Sequence, residues 1–167
     1  PPNDKDNPLN LSKEKFQGDI LEKPMSVVKA IYSSITGISK EMAEEICYEA
    51  EVDGNFSTDS LADANKDVLW SVFSDIVDRI SKGDYEPCIV YQKNVPMAFS
   101  SIHLHMYDDL TVVNFEEISE VLSLFYAQKD TYSRMHQKST DLRKVLSALI
   151  ERTSKKYDIQ MKQLKDV

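Results

Sequence analysis

The chain has 167 residues, 41% of them hydrophobic, with 20 basic and 28 acidic side chains and a net charge of −8. That is enough for one modest domain or two small subdomains sharing a core, and it excludes a disordered or collagen-like chain. No apolar run reaches the roughly 18 residues of a membrane helix, and the opening PPNDKDNPLN has neither the basic nor the apolar part of a signal peptide.

An opening without an initiator Met reads as an excised or processed piece of a longer protein. Cys47 and Cys88 stand far apart with no CxxC neighbour, so they fit reduced thiols in a cytoplasmic protein better than a disulfide framework or a zinc knuckle. The charge is divided unevenly. Residues 1–127 carry 10 basic and 23 acidic side chains, a balance of −13, whereas residues 128–167 carry 10 and 5, a balance of +5. Nucleic-acid contact is therefore expected at the C-terminal end, because the rest of the chain would repel phosphate.

In chain order, residues 1–10 read as an extended linker rich in Pro and Asn. Residues 11–84 read as a helical subdomain. Its first helix starts at Leu11-Ser12, with Leu11 and Phe16 placed as a hydrophobic staple, and runs to about Glu22. After Pro24 a second helix is expected, capped by Ser26 and carrying Val27, Val28, Ile31, Tyr32 and Ile35 on one face until Gly37 ends it. Ser39 then caps a third, with Met42, Ala43, Ile46, Cys47 and Ala50 on the apolar face and Glu41, Glu44, Glu45 and Glu49 largely off it. Past the Asp53-Gly54 turn, a fourth helix carries Val68, Leu69, Val72, Phe73, Ile76 and Ile80 and stops at Gly83, with Trp70 flanking the core.

Over residues 85–113 the hydrophobic period changes from 3.6 to 2, which predicts a short antiparallel β-hairpin or meander. CIVYQ and PMAFSSIHLHMY form the hairpin about Lys93-Asn94, with Ala98, Ser100, Ile102, Leu104 and Met106 on one face, and Leu110 to Val113 add a short third strand. From Asn114, with Glu117 as a box-like cap, no Gly or Pro interrupts residues 114–167, and an unbroken helix there would be roughly 75 Å long. Met135, Leu142, Val145, Leu146, Leu149, Ile150, Tyr157 and Leu164 make its apolar stripe. Lys144, Lys155 and Lys162 lie opposite, with Arg134 and Arg152 at the border. This reads as the stripe of a helical hairpin or coiled-coil arm whose partner strand is missing, the pattern stopping mid-stride at Asp166-Val167, and without its partner the arm is expected to self-associate or fray. The fold class is α+β, mostly α.

The segment SSITGISKEMAEEICYEA has the form of a helix-hairpin-helix, in which Gly37, Ser39 and Lys40 would meet a nucleic-acid phosphate. The competing reading is a helical hairpin that only packs, and the four glutamates after Lys40 favour it. His103 and His105 alternate along an expected strand and could offer two imidazoles to a metal, but spacing supplies no third ligand, so no metal site is assigned. Asp108-Asp109 and Glu116-Glu117 are adjacent carboxylates of the solvated or capping kind. GxSxG, Walker, GxGxxG and HExxH signatures are all lacking, and Cys47 sits on an apolar face as a core residue. Neither a catalytic residue nor a cofactor is expected. The basic stripe Arg134, Lys144, Arg152, Lys155 and Lys162 is the stronger candidate for nucleic acid, against the bland reading of a solvated coiled-coil face.

Taken together, PPNDKDNPL, ITGISKEMAEEICYEA, YEPCIVYQKNVPMAFSSIHLHMY and FYAQKDTYSRMHQKSTDLRKVLSALIERTSKKYDIQMKQLKD resemble, in that order, the middle of the NFACT family. Its bacterial members are labelled fibronectin-binding protein A or RqcH. The resemblance implies a cytoplasmic, non-catalytic factor that binds a large ribosomal subunit (rRNA) and its peptidyl-tRNA after stalling and supports C-terminal alanine tailing. It further implies a preceding glycosylase-like domain that engages tRNA through an Asp-Arg pair. The last helix becomes the ascending half of a coiled coil. The older family label implies an alternative, a cell-surface adhesin for fibronectin, and the glycosylase likeness a third, a DNA-processing enzyme that lacks a visible catalytic residue.

Overall fold

A computed structural model describes residues 4–165. Residues 1–3 of the expected linker and 166–167 of the expected arm lie outside the described residues. The chain divides into two compact units, Pro1–Phe125 and Tyr126–Val167.

The first unit is built on four helices, α1 (Lys13–Gly18), α2 (Val27–Ser34), α3 (Lys40–Glu49) and α4 (Asp63–Ser81). Their apolar faces meet in one core containing Phe16, Ile20, Ile31, Ile35, Ile46, Leu69, Phe73 and Ile76, all at most 1% exposed. Phe16 stacks on Phe73 with ring centroids 5.0 Å apart, and Trp70 lies tilted against both, at the border of the core. Val68, expected on that face, is instead exposed.

Local chemistry explains the helix ends. Ser12 Oγ accepts from the Lys15 N–H at 3.2 Å and Ser39 Oγ from the Met42 N–H at 3.1 Å, so both expected caps form. Ser26 makes no side-chain cap. The first amides of α2 are satisfied through the backbone: Val27 N donates to Phe56 O at 3.0 Å and Val28 N to Gly54 O at 3.1 Å. That approach fixes Gly54, because a Cβ there would run into Val28 Cγ2 and lie 3.1 Å from Cys47 Sγ. The first helix is also shorter than expected. It ends at Gly18, and Ile20–Glu22 is a separate 3-10 turn that places Ile20 and Leu21 in the core.

The described part of the opening segment is held by the backbone at Asp6. Asp6 N donates to Ser34 O at 2.8 Å and Asp6 O accepts from Thr36 N at 2.9 Å, which ties Asp6 to the end of α2.

Three strands follow, β1 (Cys88–Gln92), β2 (Val95–Ser100) and β3 (Thr111–Asn114), in the antiparallel order β2-β1-β3. The hairpin forms about Lys93-Asn94, both at positive φ as a two-residue turn requires. The third strand pairs with β1 (Ile89 with Val113, Val90 with Val112), so the order is not that of a meander. The second strand stops at Ser100, seven residues short of its expected end at Tyr107, and His105–Tyr107 is a 3-10 turn. The predicted inward set stays largely intact despite this, with Ala98, Ser100, Ile102 and Leu104 buried.

The two sheet faces pack differently. Val90, Ala98 and Leu104 form one small core. Ile89 on the other face packs with Phe99, Val121 and Phe125. The last two belong to α5 (Ile118–Lys165), a single helix of 48 residues. It starts four residues later than the Asn114 box predicted, because Asn114 is still paired with Cys88 in the sheet.

The second unit is the remainder of α5. None of its described residues is buried. Over residues 126–165 it runs about 60 Å at 1.5 Å per residue.

Candidate nucleic-acid interface

The helix-hairpin-helix turn forms where the sequence places it. Gly37 has φ +79°, the left-handed conformation that lets α2 and α3 reverse over two further residues. Its polar groups are already engaged, however. Ser39 Oγ is the cap of α3, and Lys40 Nζ lies 3.3 Å from Glu44 Oε1, an ion pair that holds the ammonium above the ordinary lysine range. Beside the turn is a groove of about 680 Å³ with mainly apolar walls, among them Pro8, Leu9, Ile38, Val77 and Ile80. Gly37, Ser39 and Lys40 are thus brought together, on a turn whose cation and hydroxyl both have partners within the fold.

Of the four glutamates after Lys40, one is not where the helical wheel puts it. Glu45 is fully buried. Its carboxylate accepts three bonds from the turn after β2: from His105 N at 2.8 Å, from Met106 N at 3.0 Å, and a contact with His105 Nδ1 at 2.8 Å. A carboxylate can leave water when backbone N–H groups and an imidazolium replace its hydration. His105 Nδ1 is also 3.2 Å from Glu49 Oε1.

Glu45 holds the imidazole above its usual pKa, chiefly by hydrogen bonding, while burial, reinforced by Glu45, raises Glu49. The ligand atoms of Glu45, Glu49 and His105 fall within 4.8 Å of one another, a spacing that would admit a cation. Donors from the chain itself already occupy Glu45, and the cluster is explained as a latch between α3 and the sheet. His103 is not on a strand with His105; its Nε2 meets Asp108 Oδ1 at 2.7 Å, and the two histidine rings sit edge-on at 4.7 Å. Sequence reasoning missed this latch. Its partners are 60 residues apart, and no local period links them.

Cys47 is a core thiol, as expected. Burial above all pushes its pKa up to about 12, which removes it from nucleophilic chemistry.

In the second unit, Arg134 pairs with Asp130 at 2.9 Å and Lys155 with Glu151 at 2.7 Å, each one helical turn apart. Lys144, Arg152 and Lys162 have no ion pair among the described residues. All five are exposed along one helix. The apolar stripe is exposed as well, with Leu142 at 64%, Leu149 at 52% and Leu164 at 74%.

A helical hairpin, a three-stranded sheet and a long charged helix, in this order, are the pattern on which the sequence resemblance rested. The model of the NFACT N-terminal and middle domains matches residues 1–167. The chain belongs to the NFACT family. Compared with curated proteins one by one, the sequence matches none. NFACT-domain proteins are associated with ribosome quality control. In this NFACT chain no described helix is long and apolar enough to cross a membrane.

Proposed function

We propose that the chain is a non-catalytic, RNA-contacting part of a ribosome quality-control factor. In the intact protein it helps to hold a large ribosomal subunit with its peptidyl-tRNA after stalling, in support of C-terminal alanine tailing. The observation that carries this reading is the division of charge between the two units. Residues 126–167 carry a balance of +5, and the charged side chains described among them are exposed, while the chain before them carries −13. A basic helix gains affinity for rRNA by releasing phosphate counterions, and an acidic body pays repulsion for the same approach. Arg134, Lys144, Arg152, Lys155 and Lys162 are the proposed contacts, and the Gly37 turn is the lesser one because Glu44 competes for Lys40.

Cosedimentation of the intact protein with large ribosomal subunits tests it. Changing Lys144, Arg152, Lys155 and Lys162 to Glu should lower the affinity by at least about tenfold and flatten its salt dependence. Unchanged binding would remove the arm from the reading.

A further inference from the structure

The buried apolar residues described in the first unit form separate cores. The core of the four helices includes one residue from beyond Ile80, Ile102, which is 2% exposed. The two sheet cores, Val90 with Ala98 and Leu104, and Ile89 with Val121 and Phe125, include none from α1 to α4. Apolar burial thus holds each part together, and Ile102 is the buried side chain that bridges them. The other fastenings are polar. Glu45 on α3 accepts from the His105 and Met106 amides and meets the His105 imidazole, which Glu49 also approaches at 3.2 Å. Near the end of α4, Arg79 pairs with Glu86 at 2.8 Å, a partly exposed contact of small weight. Residues 82–85 connect the two parts; all are exposed, and Gly83 has φ +76°.

We propose that residues 86–125 form a module that swings on residues 82–85, held closed against α3 by the Glu45 latch and by Ile102 as its plug. The module carries the three strands and the first two turns of α5, Ile118 to Phe125. Glu86 belongs to it, because Glu86 N donates to Ser101 O at 3.0 Å. Opening releases the contacts of Glu45 and Glu49 with the turn, separates Arg79 from Glu86, and withdraws one buried side chain. The ladder of β1 with β2 and β3 lies wholly inside the module and survives, as do the helices on the other side. A buried carboxylate makes such a latch two-state. It is bonded and dry or open and hydrated, since a charge left buried with half its partners is costly. Water enters past the half-exposed His105 side chain.

Amide exchange on the intact protein tests the proposal at three sets of positions: His105 with Met106, α2, and the β1–β2 ladder. The first set should exchange about tenfold or more faster than either of the others, because opening unfolds neither part. Glu45→Gln should speed His105 and Met106 about tenfold further and leave the other two sets unchanged. Ile102→Ala should act in the same direction without touching the latch. Spin labels on Lys29→Cys and Thr111→Cys, both exposed, read the swing itself; the native Cys47 and Cys88 are buried. Glu45→Gln combined with Ile102→Ala should add a second, separate distance population. Exchange rising together in all three sets would show one cooperative body. A single distance population in every variant would show fraying of the turn without a swing. Either result overturns the proposal.

Discussion

The two units use the same residue types to opposite ends. In the first, Phe16, Ile31, Leu69 and Phe73 are buried to 1% or less and several charges are taken up inside the unit: Glu45 by two backbone amides and an imidazole, Lys40 by Glu44. In the second, Leu142, Leu146 and Leu149 are more than half exposed, and its ion pairs are local i,i+4 contacts. Helix propensity and backbone hydrogen bonds suffice to draw α5 in full, but only tertiary burial gives a residue large energetic weight. Substitutions in the first unit are therefore expected to act on stability, and those in the second on the binding proposed for it.

The strongest way to break that contrast is to delete comparable apolar groups from both. Phe16→Ala removes a fully buried ring from its stack with Phe73 and should cost about 4 kcal/mol in urea unfolding, whereas Leu149→Ala should change the same transition by less than about 0.5 kcal/mol. Equal losses would mean that the arm's stripe is buried in solution. Trp70, the single tryptophan, lies beside Phe16 and reports the first unit selectively.

A smaller effect is expected at the latch. Glu45→Gln keeps the size but replaces a charged acceptor of three contacts, and should cost about 2 kcal/mol by the same fluorescence assay. A variant as stable as the parent would show that α3 and the turn after β2 are held by packing alone.

The smallest effect is on pH dependence. The folded imidazole of His105 lies above its reference value of 6.5, so the stability it adds is complete below that value and is lost as pH rises through the folded pKa. Glu49, raised above 4.5, slopes the same way, since its protonated form is favoured in the fold. Asp108 adds to the first shift, and Arg79 opposes the second. The Trp70-monitored midpoint should therefore fall between about pH 6 and pH 8, and His105→Asn should flatten that fall. An identical slope in the variant would assign the pH dependence elsewhere.

Much of the fold was legible residue by residue because its signals are local. Ser12 and Ser39 cap as their spacing predicts, Gly37 supplies the left-handed turn, and Lys93-Asn94 closes the hairpin. Errors fell where a distant partner overrode a local preference. Ser26 loses its cap role to carbonyls from residues 54 and 56, Asn114 is held in the sheet by Cys88, and the run expected as strand to Tyr107 turns away after Ser100. At the candidate interface, the exposed basic residues of the arm could be read from a helical wheel, since α5 is one regular helix. The engagement of Lys40 by Glu44 is an i,i+4 contact that the sequence also contains, but the burial of Glu45 is not.

The sequence by itself determined the helical segments, the hairpin, the charge division and the family, because each depends on near neighbours or on composition. Tertiary structure alone decided that the strand order is β2-β1-β3, that a glutamate among four similar ones is interior, and that two histidines expected side by side on a strand serve separate acidic partners. Those outcomes depend on which groups replace water around a buried charge or an unpaired strand edge, and such groups come from segments far apart in the chain.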